Sequence, residues 1–113
     1  MELDAAVAGL SALAQESRLK VFRLLMRAGP GGLPAGDIAR KLKVPANTMS
    51  SHLAILSRAG LIASTKRGTS VLYATDLEGM AKLLSYLVEE CCGGKPDACR
   101  PLIATALEEC CAD

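Results

Sequence analysis

The sequence predicts a mainly α-helical domain that carries one β-hairpin, and three observations support this class. Apolar residues recur at helical intervals through most of the chain, as in LDAAVAGLSALA and SRLKVFRLLMRAG. One stretch, LIASTKRGTSVLYAT, alternates instead and is rich in β-formers on both sides of a turn sequence. With 113 residues, 50% of them hydrophobic, the chain is long enough to fold around one modest core.

The first two helices are predicted from apolar spacing. In the first, the residues at helical spacing are Leu3, Val7, Leu10 and Ala14. The apolar surface of such a helix on a small protein must be buried, and a partner chain is a good candidate to bury it. The second has a predicted core face of Leu19, Phe22, Leu25 and Met26. Ser17 is its predicted N-cap, and Gly29-Pro30 ends it.

Two shorter helices are expected next. After the turn cluster GPGGLPAG, the segment DIARKLKV should turn Ile38, Ala39 and Leu42 inward. A break at PAN (45–47) precedes a helix over TMSSHLAILSRA, which Gly60 closes and in which Met49, Leu53 and Leu56 should face the core. Two helices joined in this way, the second polar on its outer face, are typical of a helix-turn-helix.

The β-rich stretch and a last helix complete the predicted domain. The hairpin should turn at 66–69, and a hairpin that directly follows a recognition helix is a wing, so we predict a winged helix-turn-helix. The segment DLEGMAKLLSYLVEEC then returns to helical period through Leu77, Met80, Leu84, Leu87 and Val88. We predict a domain over residues 1–90 for DNA binding and dimerisation, and a cysteine-rich tail over 91–113.

Charge is distributed unevenly along the chain. Residues 38–75 contain six basic side chains and no acidic one, whereas residues 76–113 contain eight acidic and three basic side chains. The middle of the chain is therefore suited to a polyanion. Because only 3% of residues are aromatic, stacking on single strands is disfavoured and double-stranded DNA is the expected partner.

The order of these segments carries a family resemblance. From LAQESRLKVFRLLM through TMSSHLAILSRAGLI to RGTSVLYATD, the chain resembles the ArsR/SmtB family of metal- and metalloid-responsive repressors. The resemblance covers roughly residues 3–90. It implies a homodimer, joined through the first and last helices, that binds operator DNA and is not an enzyme.

The predicted DNA contacts lie on the second helix of the motif and on the wing. For bases in the major groove we expect Asn47, Thr48, Ser50 and Ser51. Arg58 and Lys43 should contact phosphates, and Lys66 and Arg67 should contact the backbone or the adjacent minor groove. The family often has a histidine at this position that serves the DNA-binding helix, so for His52 a structural role or a phosphate contact is favoured over a metal-ligand role. Ala54 departs from the family, in which lysine is common at this position, so base readout should be sparse.

The first residues carry acidic side chains where a signal peptide has basic ones, and no cleavage motif follows. No apolar run approaches the ~20 residues of a membrane span. We therefore expect a cytoplasmic protein without a membrane partner, in which thiols stay reduced.

All five cysteines lie in the tail: Cys91, Cys92, Cys99, Cys110 and Cys111. A disulfide is disfavoured by the reducing compartment, although pairing of 91/92 with 110/111 stays open under oxidation. The spacing C-C-x₆-C does not match the C-x₂₋₄-C pairs of structural zinc sites. Three thiolates from one flexible loop, Cys91, Cys92 and Cys99, can surround a soft ion such as As(III) or Sb(III).

The family resemblance favours the same site. Some arsenic sensors of the family carry a CxC on the helix before the recognition helix, but AGDIARKLKV has no cysteine. Members with a vicinal cysteine pair and a third cysteine after the last long helix are the closer match. Cys110 and Cys111 are a second, accessory binding pair, a relay that captures the ligand, or a tail with little role.

Three alternatives stay open or are disfavoured at this point. A thiol redox or persulfide sensor of the same fold could use 91/92 and 110/111 as attacking and resolving thiols. A sensor of another soft metal is also open. A thiol enzyme is disfavoured because no histidine lies near the tail to act as a base.

Overall fold

A computed structural model describes residues 1–89 and 96–110 of the chain. Its elements are α1 (Leu3–Leu13), α2 (Glu16–Ala28), β1 (Leu33–Pro34), α3 (Ala35–Leu42), α4 (Ala46–Arg58), β2 (Ile62–Arg67), β3 (Ser70–Thr75), α5 (Leu77–Val88) and α6 (Pro96–Cys110). Contacts group the chain into two units, Met1–Leu83 and Leu84–Asp113, with the division inside α5. In the described residues, no helix is long and apolar enough to cross a bilayer.

The core of the first unit is built from the inward faces of its helices and the start of strand β2. Its largest fully buried side chains are Val21, Leu25, Ile38, Met49, Leu53, Leu56, Leu61 and Leu83. The predicted inward face of α4, which is Met49, Leu53 and Leu56, is confirmed. In α3, Ile38 and Ala39 are buried as predicted, and Leu42 is half-buried.

Helix α2 differs from its prediction in rotation and in its first turn. Val21, Phe22 and Leu25 are buried, whereas Leu19 and Met26 are 44% and 47% exposed, so their assignment to the core was wrong. At about 100° per residue, both lie on one edge of the buried face, away from its centre. The helix also begins earlier than expected, at Glu16, so Gln15 replaces Ser17 as N-cap and its side chain accepts a bond from the Arg18 N–H at 2.8 Å.

The hairpin belongs to a three-stranded sheet of order β1-β3-β2. Strand β1 was not predicted, since it has only two residues and lies in a segment of glycine and proline. It pairs antiparallel with β3 through Leu33 opposite Tyr73 and Pro34 opposite Leu72. The predicted turn is confirmed in a tighter form, because Lys66 and Arg67 end β2 and leave only Gly68 and Thr69 as the loop. Gly68 takes φ 60°, which suits a two-residue turn.

Two further boundaries differ from expectation. The predicted break at PAN is only Pro45, because Ala46 and Asn47 already form the first turn of α4. Proline fixes φ near the helical value and lacks an N–H, so it can lead directly into a helix. The second difference is α6, where the sequence suggested a cysteine-bearing loop. Its central residues, LIATALEE, favour helix, and Pro101 lies inside it.

Helices α1 and α5 leave large apolar side chains outside. In α1 the buried residues are the small ones, Ala6, Gly9 and Ala12. Its large side chains, Leu3, Val7 and Leu10, are exposed, as are Leu77, Leu84 and Leu87 of α5. In α5 the buried residue is Leu83, which lies outside the predicted periodic set.

Candidate nucleic-acid interface

The turn between α3 and α4 fixes the orientation of the second helix. Lys43 adopts the left-handed conformation, with φ 57° and ψ 46°, and ends α3. The next N–H, of Val44, donates to the carbonyl of Ala39 at 3.0 Å, which is a common way to close a helix. Pro45 then begins α4. Lys43, a predicted phosphate contact, therefore lies exposed at the corner of the motif.

The outer face of α4 is polar and accessible. The predicted base-contacting residues, Asn47, Thr48, Ser50 and Ser51, are all exposed, and so is Arg58 near the end of the helix. The Asn47 side-chain oxygen accepts a bond from the Thr48 N–H at 2.9 Å, and the Ser51 hydroxyl donates to the Asn47 carbonyl at 3.5 Å. These short polar groups can donate to and accept from base edges.

The wing presents two cations at its tip. Lys66 and Arg67 are exposed at the end of β2, opposite Val71 and Ser70 of β3. Among the described residues, ion pairs join Lys20 to Glu16, Arg40 to Asp37 and Lys82 to Glu78. None of these neutralises the predicted phosphate contacts Lys43, Arg58, Lys66 and Arg67. Within the described residues, these four cations therefore have no ion-pair partner and are available to an external anion.

Sequence reasoning gave no role to Arg18, which the structure connects to α4. Its Nε donates to the carbonyl of Ala12 at 2.7 Å, and one terminal nitrogen lies 3.5 Å from Nδ1 of His52. A guanidinium can only donate, so a hydrogen bond here requires Nδ1 to accept. The half-buried His52 thus contacts the first turn of α2, and through Arg18 it is connected to the last turn of α1. The sequence signal that could have indicated this contact is an arginine, Arg18, placed within the apolar periodicity of ESRLKVF.

The predicted metalloid site lies largely outside the described residues. Cys91, Cys92 and Cys111 are not among them, and Cys99 and Cys110 fall within α6. The expectation that Cys99 belongs to a flexible loop was therefore wrong for its backbone. Among the side chains that the structure describes, which do not include those of Cys99 and Cys110, no three histidine, cysteine or carboxylate groups come together as a metal site. The ligand set of Cys91, Cys92 and Cys99 stays a prediction.

Comparison with known proteins agrees with this geometry. The sequence pattern of a helix-turn-helix domain matches residues 13–65. The transcriptional activator HlyU of Vibrio cholerae is 33% identical over 85 residues, covering 73% of this chain and 76% of that protein. A structure of HlyU superposes with a TM-score of 0.60 and 32% identity, over 77% of this chain and 97% of that one. Another is described as the reduced form.

Two further proteins extend the comparison. A protein of Halobacterium salinarum that is named as an arsenical resistance operon repressor, ArsR, is 37% identical over 93 residues, covering 74% of this chain and 71% of that protein. A homodimeric winged helix-turn-helix DNA-binding domain from Mycobacterium bovis has a TM-score of 0.64 at 24% identity, over 95% of this chain and 85% of that one. The second similarity concerns the fold alone. The elements named α3, α4 and the β2–β3 hairpin are therefore the two helices and the wing of a known DNA-binding architecture.

Proposed function

The chain belongs to the ArsR/SmtB family of DNA-binding transcriptional regulators, and on that premise we propose that it represses an operator and releases it when As(III) or Sb(III) binds. The observation that carries the DNA-binding half is the exposed polar face of α4, together with four exposed cations that no ion pair of the described residues neutralises. The cysteine-rich tail and the kinship with a protein named for arsenical resistance support the sensing half.

In this proposal the DNA-contacting residues divide into two groups. Asn47, Thr48, Ser50 and Ser51 enter the major groove at the start of α4 and contact base edges. Lys43, Arg58, Lys66 and Arg67 hold the phosphate backbone, and His52 supports α4 from the side of Arg18. With Ala54 in the middle of the face, most of the affinity comes from phosphate contacts.

The proposed repressor acts as a homodimer. Exposed Leu3, Val7 and Leu10 give α1 an apolar surface that water disfavours, and Leu84 and Leu87 of α5 are also exposed. A single domain offers few phosphate contacts, whereas two copies reach half-sites about 34 Å apart in successive turns of the major groove. The M. bovis domain of similar fold is itself homodimeric.

The inducer is held by sulfur in this proposal. Cys91, Cys92 and Cys99 supply three thiolates, the ligand type that soft ions prefer, and Cys110 and Cys111 assist capture. Release requires that the ligand favour the DNA-free conformation. A coupling of ~1–3 kcal/mol gives a partial response, and about 5.5 kcal/mol gives a near-complete switch.

An arsenite titration of the operator-bound protein in a gel-shift assay tests the sensing half. We expect release for the native chain, and intact but arsenite-insensitive DNA binding for Cys91→Ser, Cys92→Ser and Cys99→Ser. The matched control is Cys110→Ser with Cys111→Ser, which should still respond. An essential tail pair with a dispensable Cys99 would rule out the three-sulfur site, and release after all five replacements would rule out cysteine sensing.

A second candidate is a thiol redox or persulfide sensor on the same fold. It is favoured by the similarity to HlyU, one structure of which is described as reduced. Adjacent thiols at 91/92 and 110/111 could supply attacking and resolving sulfurs. Mass spectrometry after peroxide or arsenite separates the two sensors, because only the redox sensor gains a disulfide that accompanies DNA release. HlyU is named an activator, so a promoter reporter must also establish the direction of regulation.

A further inference from the structure

A cleft of about 380 Å³ lies between α1 and α4, entirely within the first unit. Its lining is apolar at Ala8, Ala12, Ile55 and Ala59 and cationic at Arg18 and Arg58. Ligand pockets in proteins are typically about 300–1,000 Å³, apolar, and supplied with a few convergent polar groups. The cleft is therefore of a size and character that suit a small amphipathic molecule.

The two arginines of this cleft have no carboxylate partner in the part of the chain that the structure describes. Neither guanidinium forms an ion pair with any residue that the structure describes. Arg18 uses its Nε on the carbonyl of Ala12 and one terminal nitrogen on His52, which leaves further N–H donors of its guanidinium without an acceptor among the described residues. Two cations at one cleft repel each other, and an anion between them relieves that repulsion and gains charge-assisted hydrogen bonds.

We propose that this cleft binds a small amphipathic carboxylate. Its carboxylate lies between Arg18 and Arg58, because two guanidinium groups offer the paired donors that a carboxylate accepts. Its hydrocarbon part lies against the alanines and Ile55, which is 36% exposed in the open cleft. A bare oxyanion would leave this apolar lining in water, so the hydrocarbon part adds affinity.

The occupied cleft also affects DNA binding, a consequence that rests on the proposed function. Arg58 borders both the cleft and the outer face of α4, where it is assigned to a phosphate. A carboxylate that engages Arg58 competes with that phosphate and weakens operator binding. Arg18 holds the end of α1 to His52 on α4, so a ligand at Arg18 also acts on the joint between these helices.

NMR titration of the ¹⁵N-labelled full chain without DNA tests the proposal, with hexanoate as ligand and hexanamide as its neutral counterpart. We expect hexanoate to shift the amide signals of Ala8, Ala12 and Ile55, and hexanamide to bind at least ~10-fold more weakly. Arg18→Gln and Arg58→Gln should each weaken hexanoate binding by a similar factor. Arg27→Gln, which removes an exposed arginine of α2 outside the cleft, should leave it unchanged.

Arg18→Gln also removes a structural bond, so Ala8→Phe provides a second variant. It fills the cleft from an exposed position of α1 and keeps both arginines, and it should abolish hexanoate binding. Equal binding of hexanoate and hexanamide, or equal binding of inorganic phosphate and hexanoate, would overturn the proposal. A chain that binds hexanoate but no operator would instead contradict the proposed function and leave the cleft assignment intact.

Discussion

At the scale of single residues, the proposed DNA surface separates side chains that can read bases from side chains that carry only charge. Ser51 lies on α4 with a hydroxyl that both donates and accepts, so it can distinguish one base edge from another. Lys66 and Arg67 lie at the wing tip, and their charges attract phosphates of any sequence. Substitutions at Ser51 and at the wing tip should therefore have different effects on operator binding.

Lys66→Ala or Arg67→Ala should weaken operator binding for all sequences and reduce the salt dependence of log Kd by ~0.9 for each lost phosphate contact. Ser51→Ala should instead change the preference among operator variants and leave the salt dependence unaltered. Gel shifts over a salt series measure both effects. Lys20→Ala is the matched control, since Lys20 is exposed on α2 and paired with Glu16 at 3.4 Å. The interface is misassigned if the wing variants behave like this control.

At the scale of elements, strand β1 joins the segment after α2 to the sheet through a close backbone approach. Gly32 has φ 73°, and a Cβ placed there would lie 2.5 Å from the Tyr73 carbonyl oxygen. Its neighbour Gly31 has no atom within 4 Å of such a Cβ. The position of β1 beside β3 therefore depends on one glycine and not on the other.

Gly32→Ala should lower the free energy of unfolding by roughly 2 kcal/mol or more, because alanine disfavours left-handed backbone and its methyl group meets the carbonyl of β3. Gly31→Ala, one residue away, should change it by about 0.5 kcal/mol or less. Urea denaturation followed by circular dichroism measures both. Equal losses of unfolding free energy for the two variants would show that the backbone at Gly32 does not lie this close to the Tyr73 carbonyl.

The same elements show what sequence periodicity can and cannot predict. The inward face of α4 and the hairpin were predictable, because each has a run long enough to display its period. Strand β1 has two residues, Leu33 and Pro34, too few for any period. Helix α6 was missed because glycine, proline and cysteine around residues 91–101 suggested a loop. A sequence alone does not show the tertiary contacts that can override such local preferences.

The candidate site was predictable to a similar degree. A period of about 3.6 residues places Asn47, Ser51 and Arg58 on one side of α4, and all three are exposed. The contact between Arg18 and His52 spans 34 residues of sequence, and no local pattern encodes it. The cleft between α1 and α4 depends on how two helices pack, which composition cannot specify.

At the scale of the whole molecule, the first unit packs around its own core yet leaves large apolar side chains of α1 exposed. Small residues of α1 face that core, which lets the helix lie close to its neighbours. For example, a Cβ added at Gly9 would lie 3.4 Å from the Leu83 side chain. The larger side chains Leu3, Val7 and Leu10 stay 63%, 56% and 43% exposed. We propose that a second copy of the chain buries these three side chains.

Leu10→Glu should therefore give a monomer with little operator affinity, because it would bury an unpaired carboxylate in an apolar interface. Leu84→Glu, in α5, should act in the same direction. Sedimentation equilibrium measures the assembly, and gel shifts measure the affinity. Asp4→Lys, which alters charge at an already polar position of α1, should remain dimeric. Since each half-site alone supplies few contacts, loss of the dimer should lower affinity far more than loss of one wing cation. A native chain that sediments as a stable monomer would contradict the dimer, and tight operator binding by Leu10→Glu would show that one copy is sufficient.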